Sequence, residues 1–437
     1  MYQHIPLTIR TNDDANKMYK ECLRALPRIA AMDTETTGLH IIHDLPFLFQ
    51  FGWIDPETTD IYTYAVDLEH QPILGHQVIR AFRTLSAKFK KLLGHNIKYD
   101  LHMLANFGEP FEQDNLSDTT FYIRLAHDAL TVANGGPPMG LKEYAARYIN
   151  RNAADHERLL KLEQSQIAKG LNLKLQARLG KPWTAGKLEE FFKDTLNSAE
   201  DLSTRDREAY NQWLQEDVPP IMRSRITGRV CGEDVPYSIL NRANVITYGH
   251  KDIYLTLMVY INTRHIVWER QNMNALKVEE DLILPLFEME RVGFDTNVAY
   301  LESSGVKMKA YILERRQDFC AMAGCAIKAG QHQLIKEIAL KKFNVVFEST
   351  RDDVIEHYLS ETDDDHPIVP WLQCLQELRT LEKWYSVYII RFLRTVDEYC
   401  KLYTTINQVG TVTGRVTSDF QQFPKKGITT KDGEMLF

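Results

Sequence analysis

The sequence has few cysteines, no paired cysteine motif and no long apolar run. Its six cysteines are scattered over 437 residues, without a CxxC pair or histidines at zinc-ligand spacing, which argues against a disulfide framework or a zinc finger. No apolar run approaches the roughly 18 residues of a membrane span, and the N-terminus "MYQHIPLTIRTNDD" lacks the composition of a targeting signal. We therefore expect reduced thiols, a cytoplasmic location and no membrane partner.

The chain also lacks a net positive charge, internal repeats and low-complexity segments. Its formal net charge is -7, so any contact with nucleic acid would need a local basic surface. A hydrophobic fraction of 44% with 25% charged residues is typical of a globular protein. A length of 437 residues exceeds one ordinary core and predicts two domains.

Two acidic residues stand at the end of a predicted strand. The segment "RIAAMDTE" predicts a buried strand, and "LFQFGWID" and "IYTYAVDL" predict two more. Residues i and i+2 of a strand project from the same face, so Asp33 and Glu35 point the same way. Taken alone, such a pair is typical of a solvated strand end.

Two later segments carry polar residues at helical spacing. "GHNIKYD" follows a short apolar strand and opens a helix, which would place Asn96 and Asp100 on one helical face. Tyr248 and Asp252 are likewise four residues apart in a helix predicted over Asn244–His265. Taken separately, Tyr248 would be a core aromatic and Asp252 a charge on the helix surface.

In chain order, these segments form a D-x-E, D, Y-x-x-x-D series. The series resembles the three motifs of the DEDDy branch of the DnaQ-like 3'-5' exonucleases. "DTETTGL" and "GHNIKYD" are close to the forms found in the proofreading domain of bacterial DNA polymerase I and its phage relatives. The resemblance implies an α/β, RNase H-like fold with a mixed sheet flanked by helices, and a metal-dependent exonuclease that acts on DNA 3' ends.

The chemistry of such a site requires cations. Clustered carboxylates repel and raise one another's pKa unless cations neutralise them, and Mg²⁺ or Mn²⁺ with oxygen ligands meets that demand. Two ions about 4 Å apart can stabilise the attacking and leaving oxygens of phosphodiester hydrolysis. The resemblance implies that Asp33, Glu35 and Asp252 hold one metal, and that Asp33 and Asp100 hold the second. Tyr248 would orient the attacking water, because a phenol with a pKa of about 10 is a poor base at neutral pH.

The resemblance also implies contacts with DNA. Leu39 matches the family's apolar wedge beside the terminal base, with plain packing as the alternative. Asn96 and Tyr99 match residues that contact the frayed 3' end. His250 and Lys251, between the two residues of the third motif, are expected on the solvated helix face.

An insertion at about 151–243 is expected between the second and third motifs. Within it, Lys169–Lys187 has five basic residues, no acidic residue and Trp183. Such a stretch can follow a phosphate backbone and stack a base, contact a partner subunit, or dock on the domain through its leucines. Those leucines are Leu171, Leu173, Leu175 and Leu179.

The last third resembles the opening of a family A DNA polymerase domain. The acidic and apolar helical pattern of Val278–Glu302 is similar to the start of that domain, and Leu375–Arg394 is similar to its thumb helices. Arg379 and Lys383 in that stretch would face either phosphates or solvent.

A T-x-T-G-R segment follows, which in the family lies at the base of the thumb. The resemblance implies that Thr411, Thr413 and Arg415 contact the primer-template. Gly410 and Gly414 are explained more simply by turns.

The catalytic palm and fingers motifs of family A do not occur in the 437 residues. We therefore expect a 3'-5' exonuclease domain over 1–268 and the N-terminal part of a polymerase domain over 269–437, without polymerase activity from this chain alone. A C-terminal polymerase part would be a separate or missing segment. A chain that opens on the exonuclease favours a phage polymerase in a host cytoplasm. The alternatives are a DNA-binding scaffold subunit of a split polymerase and an RNA-trimming exonuclease of the same branch.

Overall fold

The computed structural model describes residues 2–127, 136–180, 191, 202–224, 226, 228–411, 414–422, 427–430, 433 and 435–436. The chain divides by contact into two compact units, one of residues 1–291 with 406–417 and one of 292–405 with 418–437. Among the described residues, no helix combines the length and apolar character that crossing a membrane requires.

The first unit is built on a mixed sheet that has six strands in the described residues. The strands are β1 His4–Ile9, β2 Ile29–Thr36, β3 Pro46–Ile54, β4 Ile61–Asp67, β5 Lys91–Gly94 and β6 Leu116–Asp118. Their order is β1-β4-β3-β2-β5-β6, with β2, β3 and β4 antiparallel and the outer pairs parallel. The predicted mixed sheet flanked by helices is therefore confirmed.

Helices surround this sheet. The helices described in the first unit are α1 Asn12–Ala25, α2 Pro72–Ser86, α3 Ile97–Asn106, α4 Thr119–Ala126, α5 Leu141–Tyr148, α6 Asp155–Leu179, α7 Thr204–Glu216, α8 Pro220–Arg223, α9 Arg242–Glu269, α10 Met273–Asp281 and α11 Ile283–Val292. Apolar residues of the central strands, such as Met32 and Phe51, are buried in one cluster with Leu101 of α3 and Ile253 of α9. This packing brings α3 and α9 to β2.

Two glycines allow α9 to lie directly against the sheet. A β-carbon on Gly52 of β3 would clash with the carbonyl oxygen of Tyr62 and lie 2.7 Å from Cγ2 of Ile253. A β-carbon on Gly249 of α9 would clash with the side chain of Gln50. Since Gly249 follows Tyr248 directly, this close approach determines the distance between the third motif and the sheet.

Residues beyond the predicted domain boundary also belong to the first unit. Leu276, Ile283 and Phe287 of α10 and α11 are buried in the same cluster as the sheet residues. The compact units therefore divide at 291/292 rather than at the predicted 268/269, because the apolar faces of these helices cover the core of the first unit. The assignment of a function to each domain stays a prediction.

A buried charged group reinforces this packing. Glu290 of α11 accepts hydrogen bonds from Lys98 Nζ at 2.5 Å and His102 Nε2 at 2.7 Å, both from α3, and from the Ile406 N–H at 2.5 Å. Residues 406–417, which include part of the predicted thumb-base segment, thus belong to the first unit by contact.

The predicted insertion forms a helical layer whose buried apolar cluster also includes Phe47 and Leu48 of β3. Leu171, Leu175 and Leu179 of α6 are buried with Trp213 of α7, while Leu173 is 63% exposed. This arrangement supports the docking alternative for the described part of Lys169–Lys187. Residues 181–187, with Trp183, lie outside the described residues.

The second unit is mostly helical, as predicted for the last third of the chain. Its elements are β7 Phe294–Asp295, α12 Val298–Ala323, α13 His332–Phe343, α14 Asp352–Glu361, α15 Val369–Trp384, a π-helical turn Tyr385–Ile390, α16 Arg391–Thr395 and β8 Lys401–Leu402. Phe319 and Trp371 stack at 5.3 Å between ring centroids in its core. Arg379 donates to the Thr350 carbonyl at 2.6 Å and to Asp352 at 2.8 Å, so its guanidinium makes contacts within the unit.

Candidate active site

Strand β2 and helix α9 bring three carboxylates together. Asp33 and Glu35 project from one face of β2, and Asp252 comes from α9. One oxygen of each carboxylate lies within 4.8 Å of the others. Among the described residues, these three side chains form the group that could hold a metal ion. A register shift between Glu35 and Thr36 ends the regular pairing of β2 with β3 at this point. Bulges of this kind often re-aim side chains next to active sites.

Asp100 of α3 is fixed beside this group by Thr34. The Thr34 N–H and hydroxyl donate to Asp100 Oδ1 at 2.8 and 2.7 Å, so Oδ2 is left for other partners. Asp100 is not within the three-residue group, but the charge of Asp33 raises the pKa of Asp100, after burial as the larger cause. Asp100 of the second motif is thereby hydrogen-bonded to Thr34, the residue between Asp33 and Glu35.

Tyr248 lies one helical turn before Asp252 and is held by a lysine. Lys142 of α5 donates to the Tyr248 hydroxyl at 2.8 Å and to Asp252 Oδ2, and its Nζ lies 4.2 Å from the centroid of the Tyr248 ring. Burial, then the charges of Asp252 and Glu35, raise the pKa of Tyr248 well above its ordinary value. The phenol is therefore neutral at physiological pH and suited to orient a water rather than to act as a base.

The carboxylates oppose one another's ionisation. Burial, followed by the charge of Asp252, raises the pKa of Asp33 to about 7. Burial and the charges of Asp33 and Asp252 raise the pKa of Glu35, and burial raises that of Asp252. Lys142 works in the opposite direction on all three groups. One ammonium is thus too little positive charge for this cluster.

These residues fit a hard divalent cation. The donors are carboxylate oxygens, which such ions prefer. Asp252 Oδ1 is buried without a hydrogen-bond partner among the described residues, although a buried carboxylate oxygen normally has one. A bound cation would satisfy this oxygen and lower the repulsion among the group.

The predicted DNA contacts of the first unit lie around the loop that follows β2. Leu39 is 87% exposed, so its side chain is not packed in a core, which does not fit the plain-packing alternative. The Tyr99 hydroxyl bonds the Thr36 hydroxyl at 2.7 Å and the Gly38 carbonyl, so Tyr99 supports the loop that presents Leu39. Contact of any of these residues with DNA stays a prediction.

The helical placement predicted for Asn96 is wrong. Asn96 precedes α3 as its N-cap, with φ of 66°, because Asp118 accepts hydrogen bonds from the N–H groups of Asn96 at 3.1 Å and Ile97 at 2.7 Å. Asparagine tolerates this left-handed conformation better than most residues. The exposed side chain of Asn96 therefore lies at the N-terminus of α3, before its first turn, and not on the helical face that carries Asp100.

The prediction that His250 lies on a solvated face is also wrong. His250 is buried, and its Nδ1 bonds the Thr63 hydroxyl at 2.9 Å. The same hydroxyl bonds His4 Nε2 at 2.9 Å. Because α9 is buried on several sides, helical spacing alone did not identify its exposed face.

The residues of the predicted thumb-base segment are only partly described. The Thr411 hydroxyl donates to the Arg415 carbonyl at 2.7 Å, and the side chain of Arg415 is exposed. Gly414 has a φ of 77°, which confirms the turn predicted there. Thr413 lies outside the described residues.

Several residues of the site were missed from the sequence. Lys142 and Thr34 contact the motif residues directly, and Tyr237, from the predicted insertion, packs edge-on to Tyr248 at 5.6 Å between ring centroids. Thr34 could have been found from its place between two acidic residues. Nothing in the local pattern distinguishes Lys142 or Tyr237 from a surface lysine and a loop aromatic.

Fold and site together define a buried carboxylate cluster on a mixed α/β sheet. Residues 6–170 match the family model described as 3'-5' exonuclease, of the family A DNA polymerase type. This match includes Asp33, Glu35 and Asp100, and the geometry adds Tyr248 and Asp252, which lie beyond it. Residues 6–170 are therefore similar to a 3'-5' exonuclease domain of this type.

Relatives and solved structures agree with this assignment. DNA polymerase I from two strains of Helicobacter pylori is 25% identical over 165 residues and 26% identical over 167 residues. Each match covers 36% of this chain and 18% of the relative, so the chain matches only a small part of these proteins. A structure of the POL domain of Pol1 from M. smegmatis, in complex with DNA primer-template and dNTP, has a similar fold. Its TM-score is 0.58 at 13% identity, over 98% of this chain and 56% of that one.

Proposed function

We propose that the first unit removes nucleotides from DNA 3' ends as the proofreading part of a family A DNA polymerase, on an RNase H-like (DnaQ-like) fold of the DEDDy branch. The convergence of Asp33, Glu35 and Asp252, with Asp100 held beside them, carries this proposal. The family match supports it independently, because it rests on sequence and not on the geometry of the third motif.

Asp33, Glu35 and Asp252 would hold one Mg²⁺ or Mn²⁺ ion, and Asp33 with Asp100 would hold a second. When bound, two such ions stabilise the attacking and leaving oxygens of phosphodiester hydrolysis. The chain's own part is to hold three carboxylates together, with Asp100 beside them. Thr34 does this for Asp100 through two hydrogen bonds, and the close contact of α9 with β3 does it for Asp252.

The remaining residues of the first unit would aim the substrate. The neutral hydroxyl of Tyr248 would orient the attacking water. The exposed side chain of Leu39 would wedge beside the terminal base of a frayed 3' end, with Asn96 and Tyr99 bordering the same strand. Leu39 is suited to this because an apolar side chain can pack against the face of any base without reading its identity.

The second unit would contribute the thumb of the polymerase. Thr411 and Arg415, which belong to the first unit by contact, would contact the primer-template together with Thr413. The fold match that spans 98% of this chain and 56% of the mycobacterial one supports a second candidate function. In that case the chain is also a DNA-binding scaffold that works with palm and fingers carried by another chain or segment. A phage-type polymerase in a host cytoplasm is part of the same proposal.

A primer labelled at its 5' end and carrying a 3'-terminal mismatch tests the proposed reaction. With Mg²⁺ we expect a ladder of products shortened from the 3' end, and with nucleotides added we expect no extension. Equal trimming of a matched RNA strand would instead favour the RNA-trimming alternative. Shortening that begins at the 5' end would contradict the proposal.

A further inference from the structure

We propose that Lys142 is a positioning residue of the exonuclease site, which acts by holding the Tyr248 hydroxyl and Asp252 in register. This inference rests on the proposed function. Lys142 lies within the family-matched region but outside the three motifs of acidic and tyrosine residues.

The position of Lys142 is fixed by its helix. Lys142 is the second residue of α5, whose Leu141 and Ala145 are buried against Leu255 and Val259 of α9. Leu255 lies three residues after Asp252 and therefore on the adjacent turn of the same helix. The packing of α5 on α9 thus places the base of the lysine beside the third motif.

The ammonium of Lys142 makes two specific contacts. It donates to the Tyr248 hydroxyl at 2.8 Å and forms an ion pair with Asp252. Its side chain is only 13% exposed, against 71% for Lys17 of α1, an ordinary surface lysine paired with Glu21. A buried lysine of this kind loses rotamer freedom and hydration, which the contacts with Tyr248 and Asp252 must offset.

The consequence concerns the direction of the tyrosine hydroxyl. Because Lys142 donates to the oxygen of Tyr248, the proton of that hydroxyl must point away from the lysine, on the side where Tyr248 also hydrogen-bonds Asp252 and Tyr237. The second tyrosine, Tyr237, packs edge-on at 5.6 Å and limits rotation of the Tyr248 ring. A lysine that fixes both the oxygen and the ring would set where the attacking water is oriented.

The test is a double-mutant cycle on Lys142 and Tyr248 in the full chain. Single-turnover rates of 3' shortening at saturating DNA, and DNA dissociation constants, are compared for wild type, Lys142→Met, Tyr248→Phe and the double variant. We expect each single change to slow the reaction by on the order of 10- to 100-fold without weakening DNA binding, as for misplaced reacting groups. The double variant should be no slower than the slower single variant within about twofold, because both changes remove one interaction.

Controls separate positioning from a structural role. Lys142→Arg keeps a cationic donor and should recover part of the rate, and Lys17→Met removes the same charge from an exposed site and should leave it unchanged. Mn²⁺ binding by the DNA-free protein, measured by calorimetry, should be no weaker in Lys142→Met, since the competing ammonium is removed from Asp252.

Three results would overturn the inference. They are a Lys142→Met rate close to that of wild type, a double variant whose losses multiply, and a loss of Mn²⁺ binding in Lys142→Met. Failure of the proposed function looks different, because wild-type protein would then not shorten DNA from its 3' end.

Discussion

Thr34 holds Asp100 by two hydrogen bonds to a single carboxylate oxygen, one from its N–H at 2.8 Å and one from its hydroxyl at 2.7 Å. Thr34 stands between Asp33 and Glu35, so the backbone that presents the first two carboxylates also orients the third. Two motifs that lie far apart in sequence are thereby joined at one residue.

Replacing Thr34 by Val should therefore impair the site while keeping the strand. The change removes one donor to Asp100 and retains a β-branched shape. We expect exonuclease activity to fall by about 10-fold or more, as when other supporting partners of metal ligands are removed. The measurement is the rate of 3' shortening, with circular dichroism to check the fold. Thr8→Val on β1 is the matched control, and equal activity of the two variants would contradict the role given to Thr34.

Stabilisation by Mg²⁺ should increase with pH. Burial, then the Asp252 charge, raises the pKa of Asp33 to about 7, and burial raises the pKa of Glu35 and Asp100. Between the ordinary carboxyl pKa and these raised values, the folded metal-free protein binds more protons than the unfolded chain, so its stability falls as pH rises through this window. Metal binding requires the deprotonated carboxylates, so the free energy of binding becomes more favourable as pH rises through the same window.

The measurement is the shift in melting temperature on adding Mg²⁺ at pH 6, 7 and 8. We expect the shift to be largest at pH 8, and to depend less on pH in Asp33→Asn. A shift of the same size at all three pH values would show that these groups do not release protons to the metal.

Gly52 and Gly170 should respond in opposite ways to alanine. A β-carbon on Gly52 clashes with the Tyr62 carbonyl and with Ile253. One on Gly170, an exposed residue in the middle of α6, meets nothing within 4 Å. Gly170→Ala should stabilise the chain by about 0.5–1 kcal/mol through helix propensity. Gly52→Ala should displace α9 from β3, lowering both stability and exonuclease rate. Urea unfolding and activity measure both, and a harmless Gly52→Ala would contradict the close packing of α9.

Loss of the Glu290 carboxylate should destabilise the first unit. Burial alone would raise the pKa of Glu290, but the bond from His102 and the charge and bond of Lys98 hold it below its ordinary value, so the group is ionised at neutral pH. Glu290→Gln leaves Lys98 buried without its anion, at a cost of about 3–5 kcal/mol. Urea unfolding compares it with Glu288→Gln, an exposed neighbour on the same helix. Similar midpoints for the two variants would contradict this role.

Much of the fold and the acidic part of the site followed from sequence, for identifiable reasons. The strand alternation that puts Asp33 and Glu35 on one face is a local property, and so is the spacing of Tyr248 and Asp252 in α9. Lys142 and Tyr237 could not be found in this way, because they reach the site through the packing of α5 and of the insertion. Asn96 was misplaced because Asp118 accepts hydrogen bonds from the N–H groups of Asn96 and Ile97, so that α3 begins at Ile97.

The boundary of the first unit shows the same limit. The polar stretch near 269–274 predicted a division between domains, but Leu276, Ile283 and Phe287 bury their side chains against the sheet. The polar stretch marks the end of helix α9, whereas the hydrophobic core of the first unit continues beyond it. Only the three-dimensional packing shows that α10 and α11 remain with the first unit.

The most direct test of the account is the rate of 3' shortening of a mismatched DNA primer by wild type and by the Asp33→Ala, Glu35→Ala double variant, both with Mg²⁺. The account predicts stepwise shortening by wild type that stops on chelation, and loss of activity by at least about 10³-fold in a folded double variant. A double variant that trims the primer at the wild-type rate would contradict the carboxylate site.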